Sequence, residues 1–323
     1  MKFWKILLIT LLVVYIILTL IITVSVVILY TIYNKNKIAV FNTFENKLFC
    51  NEYYCPNTIL KINDIPKQIT SKYQENMAQY VFNLISVLGS NKKELIQKQK
   101  GLDVIKKLYN STEDKPFGVI FYDKANKTLF IIFRGTINIG EWMQDFDVSQ
   151  KSYTLPIIKN STKNKNNNIQ SMFSLSPGNI VKIHSGFIDV YTKFRLELLN
   201  KVKIIKPSTI IVSGHSLGAA VATIVGTELY MKGYDTIIYN YASPKVGNEV
   251  FSKVIKDNSI PLYRHVNTSD IIPTLPPSVV PNLNIPSKPY FYSHSGKEIT
   301  FTDNRFSYIN NHILPCYKKY LFN

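Results

Sequence analysis

The sequence has few of the residues that form disulfide bonds or bind metal ions. It contains three cysteines, at positions 50, 55 and 316, and five histidines. A bridge between Cys50 and Cys55 would fit an oxidising compartment, but three cysteines leave Cys316 over. The histidines and cysteines form no cluster with metal-ligand spacing, so the sequence predicts no metal site.

Acidic residues are also scarce, with 21 Asp and Glu against 38 Lys and Arg, which gives a formal net charge of +17. Such a balance favours anionic partners such as nucleic acid or acidic lipid. No compact arginine-rich motif indicates nucleic acid, so we expect no nucleic-acid partner. Because the whole chain is weighted towards Lys, Asn and Ile, a coding bias accounts for the charge equally well.

Charged side chains are absent altogether from residues 6–33. As a helix this stretch would span roughly 42 Å, which exceeds the ~30 Å hydrocarbon core of a bilayer. The apolar part of a signal peptide has only about 7–15 residues, and no convincing small-residue cleavage site follows this stretch. We therefore predict a short basic N-terminus at residues 1–5 and an uncleaved, single-pass transmembrane anchor at residues 6–33.

The side of the membrane on which the rest of the chain lies is left open by the sequence. Lysines flank the apolar stretch almost equally, at positions 2, 5, 35 and 37, so the positive-inside rule gives a near tie. Possible glycosylation triplets begin at Asn110, Asn126 and Asn160, which slightly favours a lumenal or extracellular domain. An Asn-rich chain also produces such triplets by chance.

After a linker or cap at residues 34–64, strand-like and helix-like segments alternate. Apolar, β-branched runs predict strands at 117–123, 128–134, 180–184, 209–213, 236–241, 261–266 and 298–302. This alternation implies an α/β fold for residues 65–323, with a mostly parallel central sheet and helices on both faces. Two segments interrupt it, a flexible Asn/Lys-rich insert at 155–179 and an extended proline-rich loop at 273–289.

Residues 214–218 read Gly-His-Ser-Leu-Gly and lie between a predicted strand and a predicted helix. A sharp strand-to-helix turn exposes the serine hydroxyl as a nucleophile, and the glycines allow the backbone to approach closely. The backbone N–H of Leu217 would then donate to an oxyanion. We interpret Ser216 as a nucleophile, and the alternative is a chance match in an ordinary strand–helix turn.

A serine nucleophile needs a histidine to remove its proton and an acid to orient that histidine. In α/β-hydrolases the acid follows the serine, and the histidine follows the acid. Asp270 comes after a predicted strand, and loops at the C-terminal ends of strands carry the functional groups of α/β sheets. His294 and His312 both lie beyond Asp270, and their order alone does not separate them.

The chain resembles the class 3 lipases over about residues 73–312. The similar segments occur in the family's order, at 133–136, 141–145, 184–187, 214–218, 267–273, 294–298 and 312. Two departures from the family pattern are visible. Ala219 stands where the family usually has a glycine, and Pro315 with Cys316 stands where aromatic residues usually follow the base.

The resemblance implies an α/β-hydrolase fold with Ser216 as nucleophile, Asp270 as the orienting acid and His312 as the base. It also implies an oxyanion hole made by the backbone N–H groups of Thr136 and Leu217, and it places His294 in a structural turn. The chemistry requires no metal and no cofactor.

An apolar stripe follows Thr136 at helical spacing, within residues 137–147. It consists of Ile139, Trp142, Met143 and Phe146. Its position in a lipase-like chain predicts a lid that covers the site in water and turns its apolar face towards lipid. An ordinary packed helix would give the same pattern.

These observations predict a membrane-anchored serine lipase that hydrolyses carboxylic esters of glycerolipids. Its expected partners are a lipid ester substrate and its own or a neighbouring membrane. The lipids of that membrane would be anionic if the positive net charge contributes to binding. The alternatives are a catalytically inactive lipid-binding protein on a lipase fold, and a thioesterase or peptidase with the same triad. The oligomeric state is not predicted.

Overall fold

The computed structural model describes residues 65–66, 68–90, 93–97, 99, 101–110, 115–136, 147–156, 180–282 and 284–322, all within the unit Tyr54–Asn323. The predicted anchor, the linker, the lid stripe and residues 157–179 of the predicted insert lie outside these ranges. Within the described ranges, no helix combines the length and the apolar character that crossing a membrane requires.

Eleven strands are present in the described part of the chain. They are β1 (Asp103–Leu108), β2 (Gly118–Asp123), β3 (Thr128–Phe133), β4 (Gln150–Ser152), β5 (Lys182–His184), β6 (Thr209–His215), β7 (Thr236–Tyr241), β8 (Leu262–Asn267), β9 (Val279–Val280), β10 (Tyr290–Phe291) and β11 (Lys297–Phe301).

The helices within the described ranges lie between and after these strands. They are α1 (Glu75–Gly89), α2 (Lys93–Gln97), α3 (Ser185–Thr192), α4 (Arg195–Ile205), α5 (Leu217–Met231), α6 (Glu249–Asp257), α7 (Tyr308–His312) and α8 (Leu314–Phe322), with a 3₁₀ turn at Ile272–Thr274.

Seven strands form one sheet in the order β1-β2-β3-β6-β7-β8-β11. The strands β3, β6, β7, β8 and β11 are parallel, whereas β2 pairs with both of its neighbours in antiparallel fashion. The five parallel strands therefore bring their carboxyl ends to one edge of the sheet, where α/β folds place functional groups. The predicted α/β-hydrolase architecture, with its mostly parallel sheet, is confirmed.

Both faces of the central strands are covered, which explains why these strands are continuous apolar runs. Every residue of β3 is buried, and its side chains alternate between two cores. Leu129, Ile131 and Phe133 pack with α3 and α5 on one face. Phe130 and Ile132 pack with α1 and α8 on the other.

The helix α5 carries a buried carboxylate, Glu228, in its last turn. Arg195 donates to both of its oxygens, at 2.5 and 2.9 Å, and the hydroxyls of Tyr153 and Tyr191 donate at 2.6 and 2.9 Å. Burial alone would raise the pKa of Glu228, but these donors lower it below its ordinary value. The carboxylate thus fixes α5 to α3, α4 and the segment after β4.

Two predicted elements differ from the structure. The segment predicted as a strand at 180–184 forms β5, which pairs with β4 in a separate two-stranded ribbon and not with the main sheet. The proline-rich stretch at 273–289 is not purely extended, because it includes the end of the 3₁₀ turn and the strand β9, which pairs with β10. In both cases the local sequence pattern predicted extended backbone but not the strand with which it pairs.

Prediction on acid stability. Burial lowers the pKa of His265 from 6.5 to about 4. Between those pH values the unfolded chain binds a proton that the folded chain does not, so folding stability falls as the pH falls. The full effect for one such group is about 3 kcal/mol. We expect His265→Gln, which can keep the hydrogen bond to the Tyr73 hydroxyl, to lose less stability than the parent between pH 7 and pH 4.5.

The measurement is chemical denaturation of the full chain in detergent at both pH values. His184 and His294 also have lowered pKa values, of about 4 and about 3, so the variant should retain part of the acid sensitivity. An identical loss of stability in parent and variant would contradict the prediction.

Candidate active site

The turn between β6 and α5 is too tight for side chains at its two glycines. A Cβ atom on Gly214 would collide with the backbone of Gly218 and Ala219, and a Cβ on Gly218 would collide with the carbonyl of Arg134. Between them, Ser216 has a φ of 57°, which non-glycine residues rarely adopt. The Gly-x-Ser-x-Gly pattern is therefore required by backbone clearance, and the strained serine marks a functional position.

Ser216, His312 and Asp270 form a continuous hydrogen-bonded chain. His312 Nε2 lies 2.8 Å from Ser216 Oγ, and His312 Nδ1 lies 2.7 Å from Asp270 Oδ2. Ser216 directly precedes α5, Asp270 follows β8, and His312 ends α7, so three separate segments meet at the carboxyl edge of the sheet. All three side chains are buried.

Asp270 is held by two further hydrogen bonds. The backbone N–H of Ile272 donates to Oδ1 at 2.9 Å, and the Tyr317 hydroxyl donates to Oδ2 at 2.8 Å. Burial and the nearby Asp270 raise the pKa of Tyr317 well above its ordinary value, so the phenol keeps its proton and remains a donor. Its oxygen also accepts from the backbone N–H of Asn267, at 3.2 Å.

The base is supported by the residue that precedes the nucleophile. His215 Nε2 lies 2.8 Å from the His312 carbonyl oxygen, and the two imidazole rings are 4.8 Å apart. Burial, and then His312, lower the pKa of His215 well below its ordinary value, so this imidazole is neutral and its Nε2–H donates. The Tyr317 ring packs edge-on against His215, with ring centroids 5.8 Å apart.

The two residues predicted for the oxyanion hole belong to two segments that lie near the serine. Leu217 is the first residue of α5, and Thr136 follows β3, the neighbour of β6. The turn at residues 214–218, between β6 and α5, is called the elbow here. Gly135 lies so close to the elbow that a Cβ there would be 3.2 Å from Ser216 Cβ. The buried Thr136 hydroxyl has no hydrogen-bond partner among the described residues. Arg134 fixes this end of β3 by donating to the Pro116 carbonyl at 2.9 Å.

His294, the second histidine left open by chain order, does not contact the serine. Its Nε2 lies 2.6 Å from the Pro273 carbonyl oxygen, behind the loop that carries Asp270. Burial, and then the charge of Arg264, lower its pKa to about 3. The geometry therefore selects His312 and gives His294 the part of a loop support.

The supporting roles of His215 and Tyr317 were not predicted from the sequence. His215 lies inside the Gly-x-Ser-x-Gly motif, but its contact with the His312 carbonyl joins residues distant in sequence. Tyr317 comes after Pro315 and Cys316, at a position where the family pattern gave no guide. The aromatic packing expected directly behind the base is thus supplied further along the chain, by α8.

Comparison with known proteins shows what the chain is similar to. Residues 130–280, a little under half of the chain, match the family model described as lipase (class 3). A lipase of Rhizomucor miehei is 28% identical over 216 residues, which cover 60% of this chain and 51% of that protein. A secreted mono- and diacylglycerol lipase of Fusarium solani is 28% identical over 161 residues, which cover 49% and 42%.

A solved structure of a lipase shares the fold. A deletion mutant of the Rhizomucor miehei lipase propeptide complex is 25% identical, with a TM-score of 0.53, over 71% of this chain and 67% of that one. The chain spans about half the length of the curated relatives that it matches. The match to the family model, at residues 130–280, includes Ser216 and Asp270.

Prediction on the acid support. Tyr317→Phe removes the hydroxyl that donates to the Asp270 carboxylate, a bond to a charged group that contributes about 1.5–3 kcal/mol. We expect Ser216 to react with a fluorophosphonate probe roughly tenfold more slowly in this variant. Tyr320→Phe is the matched control, because Tyr320 lies on the same helix and stacks on Phe301 away from Asp270. Equal rates in Tyr317→Phe and in the parent would contradict the supporting role.

Proposed function

We propose that this chain is a class 3 lipase and hydrolyses carboxylic esters of glycerolipids through an acyl-enzyme on Ser216. The observation that carries the proposal is the hydrogen-bonded chain from Ser216 through His312 to Asp270. A serine in this arrangement is activated because the imidazole can accept its proton as the new bond forms.

The proposed reaction has two halves. The Ser216 oxygen attacks the acyl carbonyl while His312 Nε2 takes the serine proton, and Asp270 stabilises the resulting imidazolium. The backbone N–H groups of Thr136 and Leu217 stabilise the tetrahedral oxyanion, each by about 3 kcal/mol. The intermediate then collapses, and the alcohol leaves with the proton from His312. A water molecule, deprotonated by His312, cleaves the acyl-serine in the same way and releases the fatty acid.

The substrate class rests on the relatives and on the sequence. Similar proteins are named as lipases and as mono- and diacylglycerol lipases, which supports esters of glycerol. The uncharged stretch at residues 6–33 and the net charge of +17 support a single-pass anchor in a membrane, with anionic lipid as the favoured surface. The linker at 34–64 could extend over roughly 100 Å, which is long enough for the domain to reach its own membrane.

The two alternatives differ in what they require of the triad. A catalytically inactive lipid-binding protein would not need the three side chains at bonding distance, and their geometry argues against it. A thioesterase would use the same geometry on another acyl ester, and the relatives' names favour oxygen esters of lipids over thioesters. No observation therefore favours either alternative function over ester hydrolysis.

Prediction on the nucleophile. We expect the full chain in detergent to be labelled by a fluorophosphonate at Ser216 and to release fatty acid from a diacylglycerol. Ser216→Ala should abolish both without loss of thermal stability, because the side chain that is removed is small. Ser213→Ala is the matched control, since this buried serine lies on β6, just before Ser216, and donates to the Tyr239 carbonyl. Labelling that persists in Ser216→Ala would exclude the assignment, and labelling with hydrolysis of thioesters alone would favour the thioesterase.

Prediction on the lid stripe. Ile139, Trp142, Met143 and Phe146 are proposed to cover the site in water and to open towards aggregated lipid. The rate on a short-chain ester should then rise abruptly as the substrate passes from monomers to micelles. Replacing Trp142 and Phe146 with serine should remove that step. A smooth dependence of the parent's rate on substrate concentration, with no step, would rule out the lid.

A further inference from the structure

A buried arginine on β8 carries a nitrogen without an acceptor. Arg264 is 4% exposed. Its Nε donates to the Ser295 carbonyl at 2.8 Å, and its Nη2 donates to the Glu298 carboxylate at 2.7 Å. The third nitrogen, Nη1, is buried and has no hydrogen-bond partner among the described residues. A buried donor on a charged group is costly to leave unpaired, so Nη1 points to an acceptor other than these residues.

Arg264 lines a small pocket between α5, β8 and the segments that follow β7 and precede β11. The pocket has room for a particle about the size of a water molecule. Its polar lining residues are Thr223, Ser243, Arg264, His294 and Ser295. The unpaired nitrogen therefore belongs to a side chain that faces a space in which one small acceptor fits.

The surroundings of this pocket carry more positive than negative charge. Lys245, next to the lining residue Pro244, donates from Nζ to the carbonyls of Thr274 and Pro276 at 2.5 and 3.0 Å. Within the described ranges Lys245 forms no ion pair, and Arg264 pairs with Glu298 alone. The Glu298 side chain is 46% exposed, so solvent screens much of its charge.

The excess positive charge also affects the titration of the groups around the pocket. Burial, and then the charge of Arg264, lower the pKa of Lys245. Burial, then Arg264 and more weakly Lys245, lower the pKa of His294 to about 3. Arg264 and Lys245 thus disfavour further positive charge nearby, and a negative charge in the pocket would relieve their repulsion.

Water and an anion differ in what they offer this pocket. Either can accept from Arg264 Nη1, but only an anion also offsets the charges of Arg264 and Lys245. A charge-assisted hydrogen bond is stronger than a neutral one, and burial strengthens the attraction between opposite charges. Anions of several atoms, such as sulfate or acetate, exceed the space, whereas a chloride ion is close to water in size.

We propose that the pocket lined by Arg264, Ser243 and Ser295 binds one small monovalent anion, with chloride as its typical occupant. The site lies behind the loop that carries Asp270, because His294 bonds the Pro273 carbonyl and Lys245 bonds those of Thr274 and Pro276. The bound anion would stabilise the fold by balancing the cations that hold this loop. The inference does not rest on the proposed function.

The test measures thermal unfolding of the full chain in a non-ionic detergent. Sodium gluconate, whose anion is too large for the pocket, is replaced stepwise by sodium chloride at constant total salt. We expect the Tm to rise by roughly 3 °C or more and then to level off, because the anion binds the folded chain alone. Sodium bromide should act in the same way, and the folded chain should broaden the ³⁵Cl resonance of chloride.

Two variants locate the effect. Lys245→Gln removes one positive charge beside the pocket, and it should raise the chloride concentration for half of the Tm rise by about fivefold. Arg264→Gln should abolish the rise, and Lys245→Gln decides alone if that chain does not fold. Lys232→Gln is the matched control, because Lys232 lies 3.7 Å from the Glu228 carboxylate and its side chain is 34% exposed. Its response to chloride should equal that of the parent.

Two results would overturn the proposal. A Tm that is the same in chloride and gluconate, with a ³⁵Cl resonance of unchanged width, would mean that water fills the pocket. Equal half-maximal chloride concentrations in the parent and in Lys245→Gln would mean that chloride acts elsewhere. Neither measurement depends on ester cleavage, so an inactive parent that binds chloride would refute the proposed function and leave the anion site standing.

Discussion

The close contact between the elbow and the end of β3 is the constraint on which the rest of the site depends. Gly218 lies against the carbonyl of Arg134, and Gly214 lies against the first turn of α5. This contact sets the angle at which α5 leaves the sheet, and it also brings Gly135, the residue before Thr136, beside Ser216. The nucleophile and the proposed oxyanion donors are therefore positioned by one piece of backbone packing, without any flexible side chain between them.

The other half of the site is positioned by side chains. Tyr317 and His215 connect the acid, the base and the elbow through a phenol, an imidazole and a carbonyl, all of them buried. A buried network of this kind has a defined geometry only when each group is satisfied. The pKa shifts of His215 and Tyr317 keep both groups neutral. In the proposed reaction, the charge that develops on His312 is therefore met by the Asp270 carboxylate.

The parts of this protein that could be predicted are those encoded by local patterns. Strands β3, β6 and β7 are apolar runs because both of their faces are covered. The elbow could be predicted because its two glycines are required by close backbone contacts within and beside the turn. The pairing of β5 with β4, the supports from His215 and Tyr317, and the choice of His312 over His294 depend on contacts between residues far apart in sequence. For the histidines, chain order allowed two answers, and only the resemblance to a family or the geometry separates them.

The sheet is complete at Phe301, the last residue of β11, and the base lies beyond it on a short helix. Along the backbone, His312 and Tyr317 are thus joined to the sheet by the connection at 302–307. A protease that cut this connection would leave the segment docked, because Asn267 of β8 donates to the Asn311 carbonyl and the Tyr317 hydroxyl donates to Asp270. The hydrogen-bonded chain from Ser216 to Asp270 could in this way survive a break in the backbone that carries one of its members.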